Sequence, residues 1–137
     1  MKTSGYSGTP LAKKLGLKNG FKVSFINAPT DYFSYFSDLP KDLIEITDNS
    51  QKKDFIHFFT KSAEQLNEII NYLKEAIEQN GIIWISWPKK ASKIETDLNG
   101  NIVREIGLKS GLVDIKVCAV NEIWSGLKFV IPVKDRK

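Results

Sequence analysis

Two hydrophobic periods run along this chain, and the switches between them mark out its elements. The clearest is helical: in "SAEQLNEIINYLKEAIEQNG", Leu66, Ile69, Ile70, Leu73, Ala76 and Ile77 recur at the spacing that puts one apolar stripe on a helix. Ser62 and Gln65 stand at capping-box spacing ahead of it and Gly81 follows it, so the pattern predicts a helix capped by Ser62 with its exit at Gly81. Two nearly continuous apolar runs flank this helix: "DFIHFFT", Asp54 to Thr60, and Ile82 to Trp87. Strands covered on both faces have that character. Two such strands joined by one helix predict a parallel, right-handed crossover.

The remaining elements follow from shorter signals. "TPLAKKLG" predicts a helix of about two turns, with Thr9 as cap, Pro10 at the first helical position and Gly16 at the exit. "FKVSFINAP" predicts a strand ended by Pro29, and "TDYFSYFSDLP" a short helix with Tyr32, Phe33, Tyr35 and Phe36 as an aromatic stripe, capped by Asp31 or Thr30. "DLIEITD" predicts a short strand, "DLNGN" a turn, and "IVREIGLKSG" a short helix or helical turn ended by Gly111. "LVDIKVCAVNEIWSGLKFVIP" predicts an antiparallel hairpin around Asn121 and Glu122. Strict alternation would put Asp114, Lys116 and Cys118 on one face of its first strand. An acid and a base on one strand face also match an ordinary surface ion pair, the commoner case. "LAKKLGL" resembles the opening of a helix-turn-helix, but a strand follows it where a second helix is needed.

This order predicts one α/β domain over residues 1–137: a three-layer sandwich whose mixed sheet is parallel at its centre and antiparallel at a C-terminal hairpin, a Rossmann-like half. Residues 1–8 and the polar tail 133–137 are expected to be loose ends. No apolar run approaches the roughly 18 residues of a bilayer span, and "MKTSGYSGTP" lacks the apolar stretch of a signal peptide, so a cytoplasmic protein with no membrane partner is expected. One cysteine, Cys118, and one histidine, His57, cannot make a Cys/His metal site or an internal disulfide, so no metal is expected. Both sit in apolar strands and are expected to be core residues.

Charge changes the picture more than composition does. The net charge of +4 is unevenly spread: residues 1–30 hold five lysines and no acid, 31–78 hold ten acids against five lysines, and 79–137 hold ten basic residues against six acids. Basic ends of this kind suit an anionic partner, either a small molecule or an acidic protein surface. Parallel sheets collect ligands outside the carboxyl ends of their strands, and here that rim holds Asn27, Pro29, Thr60, Lys61, Ser62, Trp87, Pro88 and Lys89. The amides at the start of the helix capped by Ser62 add partial positive charge there. The candidate ligand-binding residues are therefore Ser62, Trp87, Lys89 and Lys90 at the rim, with Lys116 and Trp124 on the hairpin. Trp124 and Lys128 share a hairpin face. Gly5 and Gly8 ahead of Lys13 and Lys14 suggest a phosphate cradle, but the spacing is not that of a P-loop.

Enzyme templates fail: there is no G-x-S-x-G, no histidine pair and no G-x-G-x-x-G after the first strand, so no catalytic residue and no cofactor is assigned. "DFIHFFTKSAEQLNEIINYLKEAIEQNGIIWISWPK" with its closing hairpin resembles the second half of an S-adenosylmethionine-dependent methyltransferase. That resemblance implies a small enzyme or a degenerate, cofactor-binding relative as the alternative function. "GYSGTPLAKKLGLKNG", "WISWPKKASKIETDL" and "GLVDIKVCAVNEIWSGLKFV" together resemble a domain-of-unknown-function family of small bacterial proteins, which implies a cytosolic protein with no assigned reaction. The expectation is a non-enzymatic binding or regulatory domain. Nucleic acid is the weaker partner, because it needs the lysines of the first helix and of the "WPK" segment on one face.

Overall fold

The computed structural model describes residues 9–137. Gly5 and Gly8 lie outside the described residues. Helix α1 spans Leu11–Leu15, strand β1 Lys22–Ile26, β2 Ile44–Glu45, β3 Lys53–Phe59, helix α2 Ala63–Ala76, β4 Ile77–Pro88, helix α3 Gly100–Lys109, β5 Val113–Ala119 and β6 Trp124–Val130. Single 3-10 turns occur at Tyr32–Tyr35, Lys90–Ser92 and Val133–Asp135.

The six strands form one sheet in the order β2-β1-β3-β4-β6-β5. β1 is parallel to β2 and to β3, and β3 is parallel to β4 through Phe55↔Ile82, His57↔Trp84 and Phe59↔Ser86. β6 is antiparallel to both of its neighbours, so it alone runs against the rest. The parallel crossover and the hairpin expected from periodicity are both present.

Period-2 alternation sends opposite residues of each inner strand to opposite layers. Ile56, Phe58, Ile83, Ile85, Leu127 and Phe129 meet Leu66, Ile70 and Leu73 of α2 and Val103 and Ile106 of α3 in one core. Each fully buried side chain of this kind contributes about 1.5–3 kcal/mol. Val23, Phe55 and Trp84 meet Leu11, Ala12 and Leu15 of α1 in the other, where the Trp84 Nε1–H donates to the Leu15 carbonyl at 2.8 Å. Helices therefore cover both faces, and the architecture is a three-layer α/β sandwich with a mixed sheet. Among the described residues, no helix is long and apolar enough to cross a membrane.

Several local expectations are corrected. α2 ends at Ala76 and β4 begins at once at Ile77, so Gly81 is not a helix exit but a strand residue. It sits where the register shifts between Lys53↔Ile77 and Phe55↔Ile82, and a Cβ there would lie 2.9 Å from Ile77 Cδ1 and 3.1 Å from the Asp54 carbonyl oxygen. Pro10 precedes α1 rather than opening it. The aromatic stripe is a single 3-10 turn in which Tyr32 is buried and Phe33 is half exposed.

The hairpin carries a bulge between Asp114 and Lys116 that breaks strict alternation. Asp114 pairs with Phe129 and turns to α3, where its Oδ2 accepts from Arg104 Nε at 3.1 Å. Lys116 pairs with Lys128 on the other face, so Asp114 and Lys116 are not an acid and base side by side. The tail 133–137 makes two side-chain hydrogen bonds. Arg136 Nε donates to the Ile131 carbonyl at 3.0 Å, and the Lys137 amide donates to Gln79 Oε1 at 3.1 Å.

Candidate functional site

From β1 the chain steps outward to β2 and then returns to β3 on the far side of β1, so the order reverses between β1 and β3. Ligands of open α/β sheets bind outside the carboxyl ends at such a reversal. Here the chain fills that neighbourhood itself. β1 is followed by Asn27, whose φ of 57° turns the backbone sharply, and the following 3-10 turn lays the Tyr32 ring against Phe25, His57 and Phe59 at centroid distances of 5.1, 5.4 and 5.4 Å. Tyr32 is 2% exposed.

Tyr32 also completes a buried polar chain. Its hydroxyl lies 2.8 Å from His57 Nδ1, and His57 Nε2 lies 2.7 Å from Ser86 Oγ. His57 and Ser86 have no solvent exposure. Burial holds the imidazole neutral by lowering its pKa to about 3, and burial, with Tyr35 a lesser cause, raises the Tyr32 phenol well above its ordinary value. A neutral ring has one donor and one acceptor nitrogen, which two hydroxyls satisfy. Serine, histidine and tyrosine in a row can relay a proton, but this row is sealed from any substrate and serves to pin β3, β4 and the aromatic turn together. His57 is the satisfied core residue that its apolar strand predicts. Ser86, a lone hydroxyl in "IIWISWP", was the available sign of its partner.

The helix N-termini are likewise occupied. Ser62 Oγ accepts from the Gln65 amide at 3.1 Å, as expected, but Gln65 does not reach back to Ser62. The Ser62 amide donates to Thr60 Oγ1 at 3.1 Å, and the Thr60 hydroxyl donates to Gln65 Oε1, so a threonine is inserted into the box. The Ala63 amide donates to Asp97 Oδ1 at 2.9 Å. The loop that brings Asp97 there turns at Lys93, with φ of 62°, and is held by the Thr96 hydroxyl donating to the Lys61 carbonyl at 2.6 Å. At α1 the amides of Ala12 and Lys13 donate to the two oxygens of Asp38 at 2.9 and 3.1 Å. At α3 the Ile102 amide donates to Asn99 Oδ1 at 2.9 Å. The anion site expected at the start of α2 is thus taken by the chain's own carboxylate.

The six predicted site residues do not all converge, although Trp87 and Lys90 line one depression. Trp87 is buried in the α2/α3 core and lines a depression of about 440 Å³ with Lys90, Lys93, Glu95 and Thr96. Lys90 is exposed, and Lys89 is half-buried with its amide donating to the Ile123 carbonyl at 2.7 Å. Ser62 is spent on its cap. Trp124 lies on the opposite face of the sheet and packs edge-on to Phe59 at 5.0 Å.

Lys116, however, belongs to a cluster the sequence shows only in part. It lies directly across the hairpin from Lys128, and Lys128 in turn lies beside Trp84 on β4. Burial first, and then the charges of Lys116 and Lys18, lower the Lys128 pKa. Lys14 and Lys116 both act on the neighbouring Cys118 thiol, whose pKa is nonetheless raised by burial. The Lys14 ammonium donates to the Ala119 carbonyl at 3.1 Å. Among the described residues, Lys18, Lys116 and Lys128 have no carboxylate within salt-bridge distance. Lys18 was missed because it approaches from the turn after α1, about a hundred residues away in sequence.

No protein-family model and no curated protein matches the sequence. Solved structures do resemble the fold. A precorrin-6y methyltransferase from Geobacter metallireducens superposes with a TM-score of 0.60 at 11% identity, over 88% of this chain and 85% of that one. A ribosomal protein L11 methylase from Lactobacillus delbrueckii subsp. bulgaricus gives 0.57 at 10% identity, over 88% and 74%. The fibrillarin pre-rRNA processing protein of Methanococcus jannaschii gives 0.55 at 14%, over 83% and 67%.

S-adenosylmethionine, the cofactor that a methyltransferase resemblance implies, does not fit the residues at the β1/β3 reversal. Tyr32 packs over that side of the sheet, Pro29 in the turn has no amide to offer, and Asp97 holds the start of α2. At identities of 10–14% the likeness is one of architecture. The chain is a single α/β domain with the Rossmann-like fold of methyltransferases.

Proposed function

We propose that this domain is a binding module rather than a catalyst, and that it recognises an anionic partner on the hairpin face through Lys18, Lys116 and Lys128, with Lys14 beside them. One observation carries the reading. Two lysines stand directly opposite each other across an antiparallel pair, a third adds to the field at Lys128, and no described carboxylate neutralises them. Like charges directly opposite destabilise a hairpin. An anion bridging the pair would turn that repulsion into attraction. The filled reversal point and the self-capped helices support the non-catalytic half of the reading, because they remove the places where this kind of sheet holds a cofactor.

The test is a calorimetric titration with poly-L-glutamate and with heparin at low and moderate salt. Binding that weakens as salt rises, and falls about tenfold or more in Lys116→Glu and Lys128→Glu, is the expected result. If the unaltered protein binds neither polymer, the reading is wrong. A second reading, a cofactor-binding relic of a methyltransferase, has the architecture in its favour and the occupied crevice against it. Thermal stabilisation by S-adenosylmethionine or its demethylated product would reinstate it.

A further inference from the structure

The lysine cluster borders an edge strand. Among the described residues, β5 is the outermost strand of the sheet, with β6 its one neighbour. Beyond the bulge its register is regular through Lys116↔Lys128, Val117↔Leu127, Cys118↔Gly126 and Ala119↔Ser125, so this stretch presents a row of outward backbone groups in which the Ala119 carbonyl already accepts from Lys14. Its side chains are unusually apolar for an open edge: Ile115 is 52% exposed and Val117 62%. Val117 shares the α2/α3 face with Leu127, whereas Lys116 shares the α1 face with Lys128.

We propose that β5 takes an extended acidic peptide as an added strand, with acidic side chains toward Lys116, Lys128 and Lys18 and apolar ones toward Val117. Main-chain hydrogen bonds to an edge give affinity, and alternate side chains give specificity. This rests on the lysine cluster being the anion-binding element. Charge selects the occupant. A second copy would bring its own Lys116, Lys128 and Lys18 to the shared edge, so the lysines oppose self-pairing. Residues 1–8 of this chain carry Lys2 and no acid. Nucleic acid would answer the lysines but not the exposed valine and isoleucine.

The test uses the full chain and a synthetic peptide alternating valine and glutamate, with a valine-lysine peptide as control. Calorimetry reads affinity and amide hydrogen exchange reads the location. The acidic peptide is expected to bind, to slow exchange in 115–119, and to weaken about tenfold in Lys116→Glu. Val117→Asp, at an exposed position, is expected to weaken it likewise while the melting temperature stays near that of the unaltered protein. Polyanion binding that leaves β5 exchange unchanged overturns the added strand but leaves the lysine reading standing. Absence of any polyanion binding overturns both. Protection of β5 without peptide, rising with protein concentration, assigns the edge to a second copy. Heparin or a DNA oligonucleotide outcompeting the peptide, with no β5 protection, assigns the lysines to a different polyanion.

Discussion

Replacing Asp97 by alanine separates an anion site that is vacant from one that is already filled. The Asp97 carboxylate accepts the Ala63 amide at 2.9 Å at the first turn of α2, where the helix carries partial positive charge. Losing a side-chain cap costs about 0.5–2 kcal/mol, and a carboxylate at a helix start contributes about 0.3–1 kcal/mol in an exposed setting. Asp97 is exposed and Ser62 still caps Gln65, so a loss of about 1 kcal/mol is expected, or about 4 °C in melting temperature for a domain of this size. The loop should keep its place, because the Thr96 hydroxyl and the Asp97 amide hold the Lys61 carbonyl independently of the carboxylate. Melting is followed by circular dichroism with and without added sulfate. Sulfate should restore much of the loss in Asp97→Ala, beyond the general stabilisation it gives the unaltered protein. Asp97→Asn, which keeps an acceptor but not the charge, should fall between. If Asp97→Ala melts like the parent, or sulfate lifts both equally, the carboxylate is not what occupies the start of α2.

Three further outcomes are expected. Because the folded pKa of His57 is about 3 against 6.5 for the free side chain, the unfolded state binds the extra proton between those values. Stability complete above about pH 6.5 should then fall on acidification by up to about 1.4 kcal/mol per pH unit until about pH 3, and His57→Gln should flatten that slope in urea titrations even though it is less stable at neutral pH. Gly107→Ala should destabilise the fold by about 1–3 kcal/mol, since its Cβ would collide with the fully buried Phe129 ring at Cε1 and Cζ; a lowered melting temperature and altered near-ultraviolet dichroism read this out. Lys116→Glu should raise the melting temperature slightly, by about 0.2–1 kcal/mol of cross-strand attraction to Lys128, while it weakens polyanion binding, so stability and function move in opposite directions.

The parallel pair, α2 and the hairpin were legible because each rests on periodicity within one continuous stretch. What was hidden depends on residues far apart in sequence. Gly81 has every local mark of a helix exit, yet α2 stops earlier because Ile77 is drawn into pairing with Lys53 and buried in the α2/α3 core. Alternation placed Asp114 beside Lys116, and a single extra residue in the ladder, with Arg104 waiting on α3, put them on opposite faces. At the rim, the sequence correctly gave Ser62 as a cap but could not show that Asp97, 34 residues on, would take the next amide. Lys116 was visible as a candidate. The partners that give it meaning, Lys128 across the hairpin and Lys18 from another layer, need the register and the fold.

The reversed strand β6 lies between β4 and β5, yet it is made after both of them. A nascent chain that has just completed β5 therefore has nowhere to dock it, and the flank of β4 bearing Ile83, Trp84 and Ile85 stays bare until Trp124–Val130 has emerged. Closing that gap is a late, long-range event in maturation. Fragments that stop short of it should be bound by chaperones or lost to aggregates, however well α2 has already packed.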